Sequence, residues 1–353
     1  MPASPESTIR KWTWIRRLRW WVPVVAGAAL GIAWRTVYSG LPMQAYDAMS
    51  SSFFVLVPMV VGALAVYSAE LEKHRGFGTN FWIGAGANVV FVLGALLIKI
   101  EGLICAVLAV PVFGVLGGVT GMVTGLVCYQ LNRPRRLILS FAALPLLTGG
   151  IEQHLPIPDA VTSVERTRLV AASPDQVWAQ LVNAPDIRPE EIGQAWMYRI
   201  GVPLPSAAMT RVSGGEYIRH ITMGKGIHFD QVAQAWEPGH RVRWLYRFTP
   251  DSFPPGALDD HVRIGGRYFD LIDTEYSLKQ VNEGTQLRVR ITYRVSTAFN
   301  WYAERVASVL IGNFEEAALG LYANRASRAR ASLSRYQAGP TNNGSNTRAT
   351  QFQ

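Results

Sequence analysis

FNWYAERVASVLIGNFEEAALGLYANRASRA, residues 299–329, has the apolar spacing of a long amphipathic helix. Its apolar side chains recur every third or fourth position, which places them on one face of a helix: Phe299, Tyr302, Val306, Leu310, Phe314, Ala317 and Leu321. Glu304, Ser308 and Glu315 fall on the other side, which we expect to face solvent. The helix follows a series of predicted strands, and a sheet with one apolar face needs such a helix to cover it.

The residues before this helix alternate between apolar and polar side chains, as in antiparallel strands with one buried face. Trp244 and Tyr246, for example, alternate with arginines. Residues 216–222 and 227–237 are predicted to form a hairpin around a glycine-containing turn. The second half of the chain, residues 161–331, is therefore predicted to be an α+β domain in which a curved antiparallel sheet closes around the long C-terminal helix.

Short proline-containing sequences mark the beginning of this domain. Residues 152–160 include HLPIP, and each proline disfavours helix in the residue before it, so we predict an extended linker. Residues 173–176, SPDQ, have the N-cap serine, the early proline and the glutamine of a capping box, which predicts a helix start. A second short helix is predicted near 189–197. The polar residues 332–353 are predicted to be disordered.

The first half of the chain is predicted to lie in a membrane. Of the 353 residues, 49% are hydrophobic. The apolar excess falls before residue 152, in five segments: 20–38, 51–69, 81–98, 102–129 and 137–151. A helix needs about 20 apolar residues to cross the hydrocarbon core, so the first four segments qualify and the fifth is short. We predict about five transmembrane helices over residues 20–151, after a basic tail at 1–19, with the glycines of the fourth segment at helix contacts.

The net charge of +9 arises in the membrane half. Before residue 159 the chain has 12 Lys or Arg against 6 Asp or Glu, whereas from 159 to 336 it has 21 against 19. The balanced second half argues against nucleic acid as a partner, and the basic membrane loops are those that set orientation. They predict an integral membrane protein with a cytoplasmic N-terminus, and a bacterial inner membrane is what the family resemblance given below implies. Five crossings, which we favour, place the C-terminal domain in the periplasm, and four would place it in the cytoplasm.

Three short sequences resemble the START-like helix-grip superfamily, or SRPBCC, which contains polyketide cyclase/dehydrase-like and lipid-transport domains. They are ASPDQVWAQL at 172–181, WEPGHR at 236–241 and GTQL at 284–287. The resemblance covers residues 161–330, about half of the chain, and includes a bacterial subgroup that carries membrane helices ahead of the domain. It implies a hydrophobic cavity between the sheet and the long helix, and it says little about activity.

The inward-facing side chains of such a domain are the candidates to line this cavity. They are Trp244, Tyr246, Tyr268, Asp270, Tyr276, Tyr293, Val306, Leu310, Asn313 and Phe314. The aromatic residues among them either line a ligand pocket or fill a core. Asn313 and Asp270 either bond to neighbouring backbone or orient a ligand. The long loop at 249–266 is either a lid over the cavity or, through Phe253, a contact with the membrane.

Metal-ligating and catalytic patterns are weak in this sequence. His220 and His228 flank one predicted hairpin, with Asp230 beyond, but the inferred pairing places the two histidines on opposite faces. Cys105 and Cys128 have no metal-ligand spacing. No nucleophile with a neighbouring base is apparent, so we predict neither a metal nor a cofactor.

The sequence therefore predicts a polytopic membrane protein whose START-like domain binds a hydrophobic or amphipathic small molecule, with lipids among the candidates. A cyclase or dehydratase is the alternative, and it would need a titratable Tyr, Asp or His pair in the cavity. A structural or signalling module with a filled core is a third interpretation. The predicted partners are the lipid bilayer and the small molecule, and the oligomeric state stays open.

Overall fold

The computed structural model describes residues 5–40, 48–132 and 135–337, and a helical half precedes a half built on one sheet. The helical half contains α1 (Pro5–Gly40), α2 (Val57–Glu72), α3 (Phe77–Leu97), α4 (Leu103–Gln130) and α5 (Arg135–Glu152). A π-helical turn, Ser52–Leu56, precedes α2. Residues 5–19 of the predicted basic tail are part of α1, and residues 1–4 lie outside the described residues.

Four helices of this half are long and apolar enough to cross a membrane. These spans are Trp21–Tyr38, Ser52–Glu72, Phe77–Leu97 and Leu103–Gln130, and they match the first four predicted segments. Large apolar side chains are exposed on them, as for Trp82 (69% exposed) and Leu97 (81% exposed). A lipid environment suits such a surface and water does not. The chain is therefore a membrane protein; α5, whose 18 residues extend about 27 Å, is not among the four spans.

The end of α5 lies beside the start of α2. Glu152 accepts hydrogen bonds from the backbone N–H groups of Ser51 at 2.6 Å and Ser52 at 2.9 Å. Earlier in α5, the carbonyl of Pro145 accepts a hydrogen bond from the Tyr38 hydroxyl at 2.7 Å. Since α2 begins where α5 ends, the two helices run in opposite directions, and the five helices alternate in direction.

Glycines let α2, α3 and α4 approach closely, as the sequence predicts. A Cβ atom at Gly84 would lie 2.2 Å from the carbonyl oxygen of Gly117, and one at Gly62 would lie 2.3 Å from the same atom. The side-chain amide of Asn88 donates hydrogen bonds at 3.0 Å to the carbonyl of Pro58 and at 3.0 Å to that of Gly84. Backbone-to-backbone contact therefore sets the spacing of these three helices.

The second half is built on one antiparallel sheet with eight strands in the described residues. They are β1 (Asp159–Val170), β2 (Asn183–Ala184), β3 (Pro205–Ser213), β4 (Glu216–Met223), β5 (His228–Glu237), β6 (Arg241–Arg247), β7 (Phe269–Val281) and β8 (Gly284–Ser296). Their order in the sheet is β1-β8-β7-β6-β5-β4-β3-β2. The other elements are α6 (Pro174–Val182), α7 (Pro189–Ile192), α8 (Trp196–Arg199), α9 (Asn300–Gln337) and 3-10 turns at Gly224–Gly226 and Asp260–Val262.

The sheet curls around α9, which confirms the predicted fold class. Leu319, Leu321 and Ala326 of α9 share one hydrophobic core with Trp244 of β6 and Tyr293 of β8. The short helices α6, α7 and α8 cover the side of α9 that the sheet leaves open. The helix continues past the predicted domain end at residue 331, and residues 338–353 lie outside the described residues.

The predicted capping box begins α6. The backbone N–H of Gln176 donates to the Ser173 hydroxyl at 3.4 Å, and the N–H of Ser173 donates to the Gln176 side chain at 3.0 Å. Val177 and Leu181 turn inward and are buried. The second predicted helix is divided into α7 and α8.

Arginines on the outer face of the sheet pair with carboxylates of neighbouring strands. The pairs are Arg241–Glu275 (2.8 Å), Arg243–Asp273 (2.9 Å) and Arg290–Glu165 (2.7 Å). Carboxylates within the sheet therefore neutralise these arginines, so their positive charge does not require an anionic membrane surface as partner.

Glu315 is buried, although the helical pattern predicts a solvent-facing position. Its side chain is 0% exposed, and its Oε1 accepts a hydrogen bond from the N–H of Ile291 at 3.1 Å. The prediction was wrong because β1 and β8 pack along this side of α9 as well. Burial raises the pKa of the Glu315 carboxyl to about 8, although the nearby Arg166 acts to lower it. The carboxyl is therefore largely protonated at neutral pH.

On α3, substitution of glycine by alanine should be tolerated at Gly86 and should destabilise the protein at Gly84. We expect Gly84→Ala to lower the apparent melting temperature in detergent, since overpacking costs about 1–3 kcal/mol. Gly86→Ala on the same helix is the matched control, because a Cβ there meets nothing within 4 Å. The control should melt at or above the wild-type temperature, since alanine favours helix over glycine. Equal melting of both variants would contradict the close contact between α3 and α4.

Glu315 should make stability depend on pH. Its pKa is raised from 4.5 in the unfolded chain to about 8 in the fold, so the folded state holds a proton that the unfolded state releases between those values. The resulting stabilisation is present at low pH and is lost as pH rises from about 4.5 to about 8. Glu315→Gln removes this titration, so its melting temperature should fall less across the window than that of wild type. Glu316→Gln, at a side chain 62% exposed, should behave as wild type, and parallel curves for all three proteins would rule out a raised pKa.

Candidate ligand cavities

A cavity of about 180 Å³, hereafter the grip cavity, lies between the sheet and α9. Most of its wall is apolar, with Phe229, Leu271 and Ile291 on the sheet side and Phe314 and Leu321 on α9. A group of polar side chains occupies part of the wall: Arg219, Gln231, Tyr246, Thr274, Tyr276 and Tyr322. An apolar chamber with a few convergent polar groups is how small-molecule sites are built.

Arg219 is the charged residue of this wall and is 3% exposed. It lies on β4, where the alternation of the strand turns it to the same face as the buried Ile221. Its Nη2 donates to the Tyr322 hydroxyl at 2.7 Å, and its guanidinium carbon lies 5.8 Å from the centre of the Trp244 ring. Burial acts to lower the pKa of Arg219, but the neighbouring tyrosine oxygens, Tyr322 first, raise it, so the side chain keeps its charge.

Tyr246 and Tyr276, beside Arg219, keep their hydroxyl protons at neutral pH and can donate hydrogen bonds. Burial raises the pKa of Tyr246 to about 12, and its hydroxyl lies 2.7 Å from the Thr274 hydroxyl. Burial also raises the pKa of Tyr276, whose ring stands edge-on to that of Tyr322 at 5.8 Å. Gln231 contributes a buried side-chain amide beside the Tyr246 hydroxyl. This end of the cavity therefore combines one cation with several neutral polar groups.

A second cavity of about 210 Å³, hereafter the junction cavity, lies where the membrane helices meet the sheet domain. Its wall is almost entirely apolar and includes Phe54, Phe91 and Phe113 from the membrane half. Phe54 stacks on Phe299, the residue before α9, with ring centres 3.7 Å apart. Five residues line both cavities and form the partition between them: Met197, Val202, Val262, Phe269 and Ile311.

The ten predicted lining residues are distributed over several environments. Tyr246, Tyr276 and Phe314 line the grip cavity, whereas Tyr268, Val306 and Leu310 line the junction cavity. The remaining four line neither of these two cavities: Trp244, Asp270, Tyr293 and Asn313.

These four residues have structural contacts instead. Trp244 and Tyr293 are fully buried, and the Tyr293 hydroxyl donates to the carbonyl of Glu304 at 3.2 Å. Asn313 accepts a hydrogen bond from the backbone N–H of Trp196 at 2.7 Å, so it fixes the start of α8. Burial raises the pKa of the Asp270 carboxyl, although the backbone N–H of Gly265 and the nearby charge of Arg294 act to lower it.

The structure also gives the positions of His220 and His228 and of Phe253. His220 and His228 share one face of the hairpin, with ring centres 6.0 Å apart, because Thr222 is the residue that pairs with His228. The inferred register was therefore wrong. Phe253 in the 249–266 loop packs on Phe248, with ring centres 5.6 Å apart, and is partly buried against the core of the sheet domain.

The comparisons with known proteins concern the fold. No model of a known protein family matches the chain, and no curated protein matches it. The sheet closed around α9 is a helix-grip fold. Similar solved structures include TTHA0849 from Thermus thermophilus, at 15% identity and TM-score 0.32, over 48% of this chain and 99% of that chain.

Two enzymes are also among the similar structures. The Zhui aromatase/cyclase from Streptomyces sp. R1128 has 14% identity and TM-score 0.30, over 48% of this chain and 96% of that chain. A norcoclaurine synthase point mutant from Thalictrum flavum has 15% identity and TM-score 0.30, over 49% of this chain and 99% of that chain. Likeness at this level carries no activity over to this protein.

Proposed function

We propose that this membrane protein binds an amphipathic small molecule, with an anionic head group at Arg219 and an apolar part along α9. The observation that carries the proposal is the burial of Arg219, which within the described residues has no carboxylate at ion-pair distance. An unpaired charge in a low-dielectric interior costs several kcal/mol. An anionic ligand would offset that cost, and the donors of Tyr246 and Tyr276 would add hydrogen bonds.

The size and position of the two cavities favour a lipid-like ligand. Each cavity is smaller than the roughly 300 Å³ at which small-molecule sites usually begin. A ligand with an acyl-length tail would therefore displace the partition, of which Ile311 and Val262 are members, and reach into the junction cavity. That cavity borders the membrane helices, so the bilayer is the natural source of such a ligand.

Binding is favoured over acid–base catalysis by the composition of the grip cavity. Among the described residues its wall contains no Asp, Glu or His. Tyr246 and Tyr276 have raised pKa values and hold their protons, so they do not act as bases at neutral pH. An enzyme that stabilises an enolate with Arg219 and these hydroxyls is the second candidate function, supported by the same group of donors.

We also propose that α5 crosses the membrane and that the sheet domain is periplasmic in a bacterial inner membrane. The alternating direction of the helices supports this, because the end of α5 lies at the end of the bundle opposite the start of α1. The basic residues in the first part of α1, ahead of the span Trp21–Tyr38, favour a cytoplasmic N-terminus.

Fusion reporters should place residues 130 and 153 on opposite sides of the membrane. A phosphatase that is active only in the periplasm should be active after Gln153 and inactive after Gln130, and a fluorescent protein that folds in the cytoplasm should show the reverse. The two reporters control for each other at each site. Cytoplasmic signals at both positions would mean that α5 lies on the membrane surface and does not cross it.

Arg219 should determine the preference for an anionic ligand. We would titrate the full chain in detergent with an anthroyloxy-labelled stearic acid and with its methyl ester. Arg219→Met should weaken binding of the acid roughly tenfold or more, since a hydrogen bond to a charged group contributes about 1.5–3 kcal/mol. Binding of the ester should hardly change.

Arg247→Met is the matched control, because this arginine is half exposed and pairs with Glu216 at the surface at 3.2 Å. It should keep the preference for the acid. Arg219→Met should melt at or above the wild-type temperature, since it removes an unpaired buried charge. Equal affinity of wild type for acid and ester, or an unchanged preference in Arg219→Met, would refute the proposed role.

A further inference from the structure

Four potential metal ligands meet where the loop before β7 touches the membrane helices. Glu101 and Cys105 flank the start of α4, and Asp259 and His261 flank the start of the 3-10 turn Asp260–Val262. Each offers one ligand atom, and the four atoms all lie within 4.8 Å of one another. Glu101 lies two residues before α4 and Cys105 lies in its first turn, so the start of α4 brings both side chains to the same place.

The backbone around this cluster holds the two elements together. The N–H of Gly102 donates to Asp259 Oδ2 at 2.9 Å, and the N–H of His261 donates to Asp259 Oδ1 at 3.0 Å. A Cβ atom at position 102 would lie 2.5 Å from Asp259 Oδ2, so the close approach depends on glycine there. The side chains of Glu101, Asp259 and His261 are only 13%, 13% and 19% exposed.

We propose that Glu101, Cys105, Asp259 and His261 bind one divalent transition-metal ion of the zinc class. A thiolate and an imidazole favour such an ion over magnesium or calcium, which take oxygen ligands. Ligand atoms about 2.0–2.3 Å from a tetrahedral zinc ion are about 3.3–3.8 Å apart. Closing the cluster from its present spacing requires side-chain movements on the order of 1 Å.

The charge of the cluster suits a divalent cation. With the thiol proton of Cys105 displaced by the bound ion, the two carboxylates and the thiolate would together carry three negative charges. Arg35, which is 3% exposed and hydrogen-bonded to Glu101, supplies one positive charge. A divalent ion would bring the total to zero, and Arg35 would hold Glu101 in place as an outer-shell partner.

The ion would fasten a cavity wall to the membrane half. Leu258 and Val262, which line the grip cavity, are the immediate sequence neighbours of the ligands Asp259 and His261. The loop is therefore connected to the cavity on one side and to α4 on the other.

Cobalt is a direct probe of this site. The full chain in detergent, stripped of metal with a chelator, should bind one Co²⁺ with the near-ultraviolet charge-transfer band of a thiolate and the intense visible bands of tetrahedral cobalt. Cys105→Ser should lose the charge-transfer band, and His261→Gln should weaken binding at least tenfold. Cys128→Ser and His228→Gln are the matched controls and should bind as wild type.

A second readout guards against misfolded variants. Micromolar Zn²⁺ should raise the melting temperature of wild type and of both controls, and it should slow labelling of Cys105 by a maleimide. No charge-transfer band in wild type, a band that persists in Cys105→Ser, or binding only at millimolar metal would overturn the proposal and leave an ion-free charge cluster. The charge-transfer band and its loss in Cys105→Ser do not require an occupied grip cavity, so failure of one proposal does not imply failure of the other.

Discussion

The burial of α9 is the constraint on which the rest of the structure depends. Its 38 residues extend about 57 Å, which is longer than the strands that grip it, so its first turns project beyond the sheet. There Phe299 enters the core of the membrane half, and the Tyr302 hydroxyl donates to the carbonyl of Leu108 in α4 at 2.8 Å. One helix therefore belongs to two hydrophobic cores. The cavities follow the same order along it, with Leu310 in the junction cavity, Ile311 in the partition and Phe314 in the grip cavity.

Charge is distributed unevenly around α9: most charged side chains of the sheet lie at its outer face, and a few are buried. Most arginines of the sheet are at its outer face, where pairing with carboxylates in water contributes little to stability. Arg219 and Glu315 are buried, where each ionised form is expensive. The two respond differently: Glu315 takes up a proton and becomes neutral, whereas an arginine cannot lose its charge in a protein. Arg219 therefore keeps a buried charge that contacts the Tyr322 hydroxyl and the Trp244 ring but no carboxylate among the described residues, and this is the basis of the proposed anionic ligand.

The sequence predicts those features that depend on local pattern, and it fails where distant segments meet. The stripe from Phe299 to Leu321 and the capping box at Ser173 follow from spacing alone, and both are present. Glu315 and Arg219 were misjudged or missed because their burial depends on how far the sheet curls. The proposed metal site brings together residues more than 150 positions apart in the sequence. Two of its four residues lie in a loop, where no helical or strand periodicity indicates their position. To predict which face of the sheet His220 and His228 occupy, one needs the pairing register of their hairpin. The amino-acid composition of a glycine-containing turn does not determine that register.

The loop at 249–266 connects the cluster of Glu101, Cys105, Asp259 and His261 to the wall of the apolar cavities. Because Leu258 and Val262 line the grip cavity while Asp259 and His261 contact the membrane half, the loop cannot move away from the cavity without breaking the outer contacts. The apolar side of the loop gives little resistance, since a lipid-like ligand would replace the contacts that Leu258 and Val262 lose. The free energy needed to open the wall is therefore set by the polar side, where the hydrogen bond from Gly102 to Asp259 must break and the neighbouring charges must separate.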